Sequence, residues 1–183
     1  ESGGQVGDTG KLKNDIEEIN VLNTFKENDL IIHLVDKLPK NLKSKYFAEI
    51  NSFRRNLISK NHSATHLLHS ALREVLGDHV TQKGSLVNDK LLRFDFSHFS
   101  KISEEELTKI NSIVNNKIYE NINVDILENI TIDKAKKMGA MSLFGEKYGE
   151  KVRIVIIDDT FSIELCGGTH VSSTSEIGLF KII

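Results

Sequence analysis

The 183 residues are 39% hydrophobic and 27% charged, with a formal net charge of -2, enough to bury the core of one medium domain or two small ones. The near-neutral balance excludes recognition of a polyanion through a global positive field, so such a partner has to meet a local basic patch. No apolar run approaches the roughly 20 residues that span a bilayer, no signal-peptide pattern opens the chain, and the single cysteine, Cys166, excludes an internal disulfide, which predicts a reducing, cytoplasmic setting.

The chain opens on the turn-rich ESGGQVGDTG and stops in GLFKII, which reads as a strand just begun, so a piece of a longer polypeptide is expected. Residues 1 to about 50 read as short strands separated by turns. DLIIHLVDK and KSKYFAEIN are rich in β-branched and aromatic residues, with turns expected at Asn28-Asp29 and over 38–41. A small, open β-barrel-like subdomain over 1–52 is predicted, followed over 53–183 by an α+β domain.

From Asn61 to about Leu76 the apolar residues Ala64, Leu67, Leu68, Ala71, Leu72 and Val75 recur at three- and four-residue spacing, with Gly77 as the stop. HVTQKGSLV and LLRFDFSHF flank Asn88-Asp89 and predict a β-hairpin. Ser103 followed by Glu106 is a capping box, opening a helix that carries Leu107, Ile110, Val114 and Ile118. NVDILEN reads as a strand, TIDKAKKMG as a short helix stopped by Gly139, and KVRIVIIDD and FSIELC as adjacent strands.

Two stretches carry metal chemistry. In NHSATHLLHS, His62 and His66 lie four apart on the predicted helix, about one turn, a separation suited to chelating one zinc ion. CGGTH places Cys166 and His170 four apart in a loop, where Gly167 and Gly168 let the backbone fold tightly. A pair of helical histidines is more often buried and hydrogen-bonded than liganded, but the only thiol and three of seven histidines falling in chelate spacings favour a zinc site. Ser63 stands where an H-E-x-x-H metalloprotease needs its glutamate, which argues against such a protease. Four protein ligands close a zinc shell, so the ion is expected to organise the site, or to act only by expanding its shell.

The polar neighbours are candidates for the chemistry. In FSIELC, Glu164 shares a strand face with Cys166 and would either position water or substrate or brace a ligating histidine. Thr65, between the two helical histidines, is a pocket wall or an ordinary helical threonine. Gln82 reaches the same cleft or faces solvent. His33, His69, His79 and His98 are read as structural.

The stretches ESGGQVGDTG, NHSATHLLHSALREVLGDHVTQKGSLVNDKLLRFDFSHF, LFGEKYGEKVRIV and CGGTHV together resemble the editing domain of the alanyl-tRNA synthetases, from the first residues to the last. The resemblance implies a small β-barrel before an α+β editing domain shared with threonyl-tRNA synthetases and free-standing editing proteins. It implies hydrolysis of the ester joining a wrong serine or glycine to alanine tRNA. It also implies zinc on His62, His66, Cys166 and His170, and an editing pocket at Thr65 and Gln82, with Glu164 at the position of an acidic residue of the threonyl relatives. No ATP or alanine activation module is recognisable, so no aminoacylation is expected from this piece, and its partners would be mischarged tRNA(Ala) and the rest of the synthetase. RNA contact would come from Arg54 and Arg55 and from Lys134, Lys136, Lys137 and Lys147, for which a solvated basic face is the alternative. Two rivals remain: a free-standing editing factor, and a zinc-stabilised RNA-binding module without hydrolytic activity.

Overall fold

The computed structural model describes residues 4–28, 30–141 and 149–183. Its fold class is the expected α+β. The first 50 residues supply β1 (Gly10–Lys13), β2 (Glu18–Glu27), β3 (Leu30–Val35) and β4 (Phe47–Ile50), an antiparallel sheet of order β3-β2-β1-β4. β2 shows the half-buried strand pattern, with Ile19 and Val21 inward and Glu18, Asn20 and Leu22 outward. The sheet stays open and does not close into a barrel. Asn28 sits at the predicted turn with φ 47°, a conformation asparagine tolerates, while Asp29 lies outside the described residues.

Helix α1 (Ser52–Leu76) starts well ahead of Asn61. Its N-cap is Asn51, whose side chain accepts the Arg54 N–H at 3.0 Å, leaving that orphan donor satisfied. The first two turns are mostly exposed or half-buried, so no apolar period marks them in the sequence. Gly77 stops the helix with φ 111°, its N–H bonding back to Arg73 O at 2.9 Å. From His62 to Leu72 every residue is buried. Two stripes account for all of these but Thr65: Ala64, Leu67, Leu68, Ala71 and Leu72 face the apolar core, and His62, Ser63, His66, His69 and Ser70, with Ser59 before them, form a polar stripe at helical spacing.

The hairpin of β5 (Gln82–Val87) and β6 (Leu92–Phe96) forms where expected, its turn fastened by the Asn88 side chain, which accepts the N–H groups of Lys90 and Leu91. Helix α2 (Glu104–Tyr119) opens on the reciprocal Ser103–Glu106 capping box. β7 (Val124–Thr131), β8 (Lys151–Ile157) and β9 (Ser162–Leu165) make an antiparallel sheet of order β7-β8-β9, and α3 (Ile132–Lys137) connects β7 onward. β8 is buried on both faces: Val155 and Ile157 pack toward α1 and α2, while Val152, Ile154 and Ile156 pack with Ala135 of α3 and Leu165.

Residues 178–183 are not the strand that GLFKII suggested. Their backbone is bound by side-chain amides of α2. Phe180 N–H donates to Asn115 Oδ1 (3.0 Å), Asn115 Nδ2 donates to Phe180 O (2.8 Å), and Ile182 N–H donates to Asn111 Oδ1 (3.2 Å). Two asparagines take the place of a ladder, which strand propensity alone does not foresee.

Candidate metal centre

The polar stripe of α1 meets the loop that follows β9. His62, His66, Cys166 and His170 bring one ligand atom each to within 4.8 Å of one another, across 104 positions between His62 and Cys166. Cys166 Sγ lies 3.4 Å from His62 Nε2 and 3.3 Å from His170 Nε2, and the ring centroids of the three histidines are 4.4–5.4 Å apart. A tetrahedral zinc with bonds of about 2.3 Å to sulfur and about 2.0–2.1 Å to nitrogen holds S and N about 3.6 Å apart. The donor set therefore fits such an ion. The loop gets this close because Gly168 has no side chain: a Cβ there would stand 2.1 Å from His62 Cε1.

The imidazoles are held neutral, the form that binds metal. Burial, with the neighbouring His66 and Arg153, pushes His62 down to about 3. Burial lowers His66 as well, opposed by Glu164, and it takes His170 well below the usual histidine range, helped by His66, His62 and Arg153.

Each ligand histidine has a polar neighbour behind it. His62 Nδ1 lies 2.8 Å from Gln5 Oε1, and His170 Nδ1 lies 3.1 Å from Ser63 Oγ, which also accepts the Val171 N–H at 3.2 Å. Behind His66 stands Glu164, 4% exposed, its Oε2 3.9 Å from His66 Nδ1 and its Oε1 accepting from His69 Nδ1 at 3.2 Å. Burial pushes the Glu164 carboxyl up, but His66, His69 and Arg73 outweigh it and hold it below its usual range. Glu164 and Cys166 face α1 while Ile163 and Leu165 pack on the opposite side, the alternation expected of FSIELC.

Thr65 is buried on α1 between His62 and His66 in sequence, and its hydroxyl donates to Asn61 O at 2.8 Å, one turn back on its own helix. Gln82 is half-buried at the start of β5, and its Nε2 donates to Ser85 Oγ at 3.1 Å. Arg54 and Arg55 tie α1 to the chain's first residues and the hairpin. Arg54 bonds Asp89 (3.0 Å) and Gly7 O (2.8 Å), and Arg55 pairs with Asp8. Lys134, Lys136 and Lys137 stand exposed on α3, whereas Lys147 and most of LFGEKYG lie outside the described residues.

Sequence reasoning missed three contributors. Gln5 is hidden among glycines that read only as turns. Ser63 carries no signal in the sequence beyond standing where H-E-x-x-H has its glutamate. Arg153 donates to Cys166 O (2.8 Å) and Gly168 O (2.9 Å), fastening the ligand loop from below. A lone charge inside the apolar run of β8 was its one available signal.

The chain is thus α+β with a His/His/Cys/His quartet split between a helix and a post-strand loop, and the family described as "Threonyl and Alanyl tRNA synthetase second additional domain" matches its residues 152–183, which include Cys166 and His170. Along its whole length the chain is related to alanine-tRNA ligases. It is 62% identical over 182 residues to that of Cytophaga hutchinsonii, 54% over 183 residues to that of Bacteroides fragilis, and 50% over 183 residues to that of Salinibacter ruber. Each match covers 100% of this chain but only 21%, 21% and 19% of the relative, so the chain spans about a fifth of their length. It aligns from end to end with one segment of those ligases, the resemblance that the motifs implied.

Proposed function

We propose that this chain is a zinc-dependent aminoacyl-tRNA deacylase, the proofreading unit of an alanyl-tRNA synthetase, which hydrolyses serine or glycine from mischarged tRNA(Ala) in the cytoplasm. The observation that carries the reading is the quartet of three neutral imidazoles and one thiol, with His62, His66 and Cys166 buried and His170 half-buried, in a chain related throughout to alanine-tRNA ligases. On this reading residues 53–183 are the editing unit and 1–52 a β-rich part tied to it through Gln5, Asp8 and Gly7. This segment carries no aminoacylation of its own.

The need for a second site is physical. An activation pocket discriminates poorly between small side chains, where one methylene is worth about 1–3 kcal/mol. When bound, zinc supplies a fixed positive charge that favours negative charge developing on the ester oxygen. The residues of the chain do the rest. The Thr65 hydroxyl spends its proton on Asn61 O and keeps lone pairs to accept the hydroxyl of a substrate serine, a bond alanine cannot make. Gln82 offers a second polar group from the hairpin, and Glu164 acts through His66 and His69 rather than on the ester. Lys136 and Lys137, with Lys147, are the residues offered to RNA phosphates. Arg54 and Arg55 are already committed to Asp89 and Asp8.

The test is release of serine from Ser-tRNA(Ala), with Ala-tRNA(Ala) and a chelator-treated protein alongside, across a salt series that reads the phosphate contacts. Selective release that is lost with the metal is expected, with Thr65→Val and Gln82→Ala slowing it without unfolding the protein. A second reading is favoured by the four protein donors, which fill a zinc shell and leave no open position: a metal-stabilised RNA-binding module. Folded, metal-loaded protein that binds tRNA but leaves the ester intact would decide for it.

A further inference from the structure

We infer that Gln5 is a positioning residue of the metal centre: its side-chain oxygen sets the tautomer of His62 and latches the Cys166–His170 loop against it. The inference rests on the metal reading above and not on the editing activity. Three donors converge on Gln5 Oε1: the Thr169 backbone N–H at 2.9 Å, the Thr169 hydroxyl at 3.2 Å and His62 Nδ1 at 2.8 Å. A backbone N–H only donates, so the atom it meets is the carbonyl oxygen of the side-chain amide and not its nitrogen. That oxygen only accepts, so His62 Nδ1 carries the ring proton and Nε2 carries the lone pair. Nε2 is the nitrogen turned toward Cys166 Sγ. One acceptor therefore fixes the ring nitrogen that binds and the loop that brings the thiolate.

The position of Gln5 is itself fixed. It lies 57 positions before His62 and 164 before Thr169, and it is 8% exposed. The backbone on either side bonds the hairpin, Val6 N–H to Val87 O at 3.0 Å and Val87 N–H to Gly4 O at 2.9 Å. Gly4 has φ 75°, and a Cβ on it would lie 2.3 Å from Ser85 O, so the approach needs glycine. The Gly-Gln step of the opening motif thus delivers an acceptor to a site built from residues far along the chain.

The experiment compares the full chain with Gln5→Leu, which keeps bulk but no acceptor, and Gln5→Glu, which keeps the acceptor. Zinc affinity is read by chelator competition, and cobalt(II) replaces zinc for the ligand-field spectrum. Wild type is expected to bind one ion, Gln5→Leu to bind about ten- to a hundredfold more weakly with a changed cobalt spectrum, and Gln5→Glu to recover most of the loss. Equal affinity and spectrum in Gln5→Leu, or a Gln5→Glu as weak as Gln5→Leu, overturns the inference. Should Gln5→Leu fail to fold, nitrogen NMR of zinc-loaded wild type decides. A proton on His62 Nδ1 supports the assignment, and a proton on Nε2 refutes it. A wild type that binds no metal removes this inference and the metal reading together, whereas metal affinity that depends on Gln5 without deacylation removes only the editing reading.

Discussion

A Cβ on Gly168 would stand 2.1 Å from Cε1 and 2.4 Å from Nδ1 of His62 and 2.8 Å from Gln5 Oε1. At these separations something must shift, so either the His62 ring moves within the quartet or the loop moves with Cys166. Gly168→Ala is expected to weaken zinc binding at least about tenfold, the range of a disturbed ligand environment. Gly139→Ala is the control: φ is 77° but no atom lies within 4 Å of the added carbon, so it should cost only about 1 kcal/mol of backbone strain and leave affinity unchanged. Chelator competition on both variants checks this, and equal affinities would mean the loop is more pliant than its packing implies. At this scale the quartet was legible because His62/His66 and Cys166/His170 each announce themselves by a four-residue spacing. Gln5 was not, since its role depends on a meeting with Thr169 that no local spacing encodes.

Among elements, the turn between β8 and β9 is fastened to α2 by charge. Lys117 Nζ lies 2.8 Å from Asp158 Oδ2, and Asp158 Oδ1 also accepts the N–H and hydroxyl of Thr160. The hydrogen bond from Lys117, followed by those of Thr160, lowers the Asp158 carboxyl from 3.8 to about 2. The folded state therefore holds fewer protons than the unfolded one between these values, and the stabilisation is present above about pH 4 and lost as pH falls to about 2. Asp158→Asn keeps a side chain that tolerates the residue's φ of 67° and the acceptor for Thr160. It isolates the charge, and should cost about 1–2 kcal/mol at pH 7 after allowance for partial exposure. Urea unfolding at pH 7 and near pH 2 measures it; a gap that persists at pH 2 would show that something other than the ion pair was lost. Elements whose signals are local, such as the Ser103 capping box, the hairpin and the Gly77 stop, were readable in advance. The start of α1 was not, because an exposed turn such as Phe53–Asn56 has no apolar period. Nor was the fate of 178–183, where Asn111 and Asn115 of α2 decide the pairing.

Across the whole molecule the quartet joins parts that the chain keeps far apart. His62 and His66 belong to α1, which packs on α2, the hairpin and β9, and Cys166 and His170 to the loop after the sheet. Three imidazoles and a thiol converge on one point there, and His66 Nδ1 has no hydrogen-bond partner among the described residues. An ion that binds the folded chain and not the unfolded one stabilises by mass action, about 4 kcal/mol at a free concentration a thousandfold above its dissociation constant. For a chain of this size that corresponds to a shift in the thermal midpoint of roughly 10 °C. Chelation should therefore lower the midpoint by that order, zinc should restore it, and Cys166→Ala should lie near the chelated value with or without zinc. The variant separates the centre from adventitious binding at surface histidines such as His33, which would shift both proteins alike. A wild-type midpoint unmoved by a chelator that demonstrably strips the metal would mean that apolar packing of α1 alone holds the helix and the loop together, and that the quartet is a consequence of the fold rather than one of its supports.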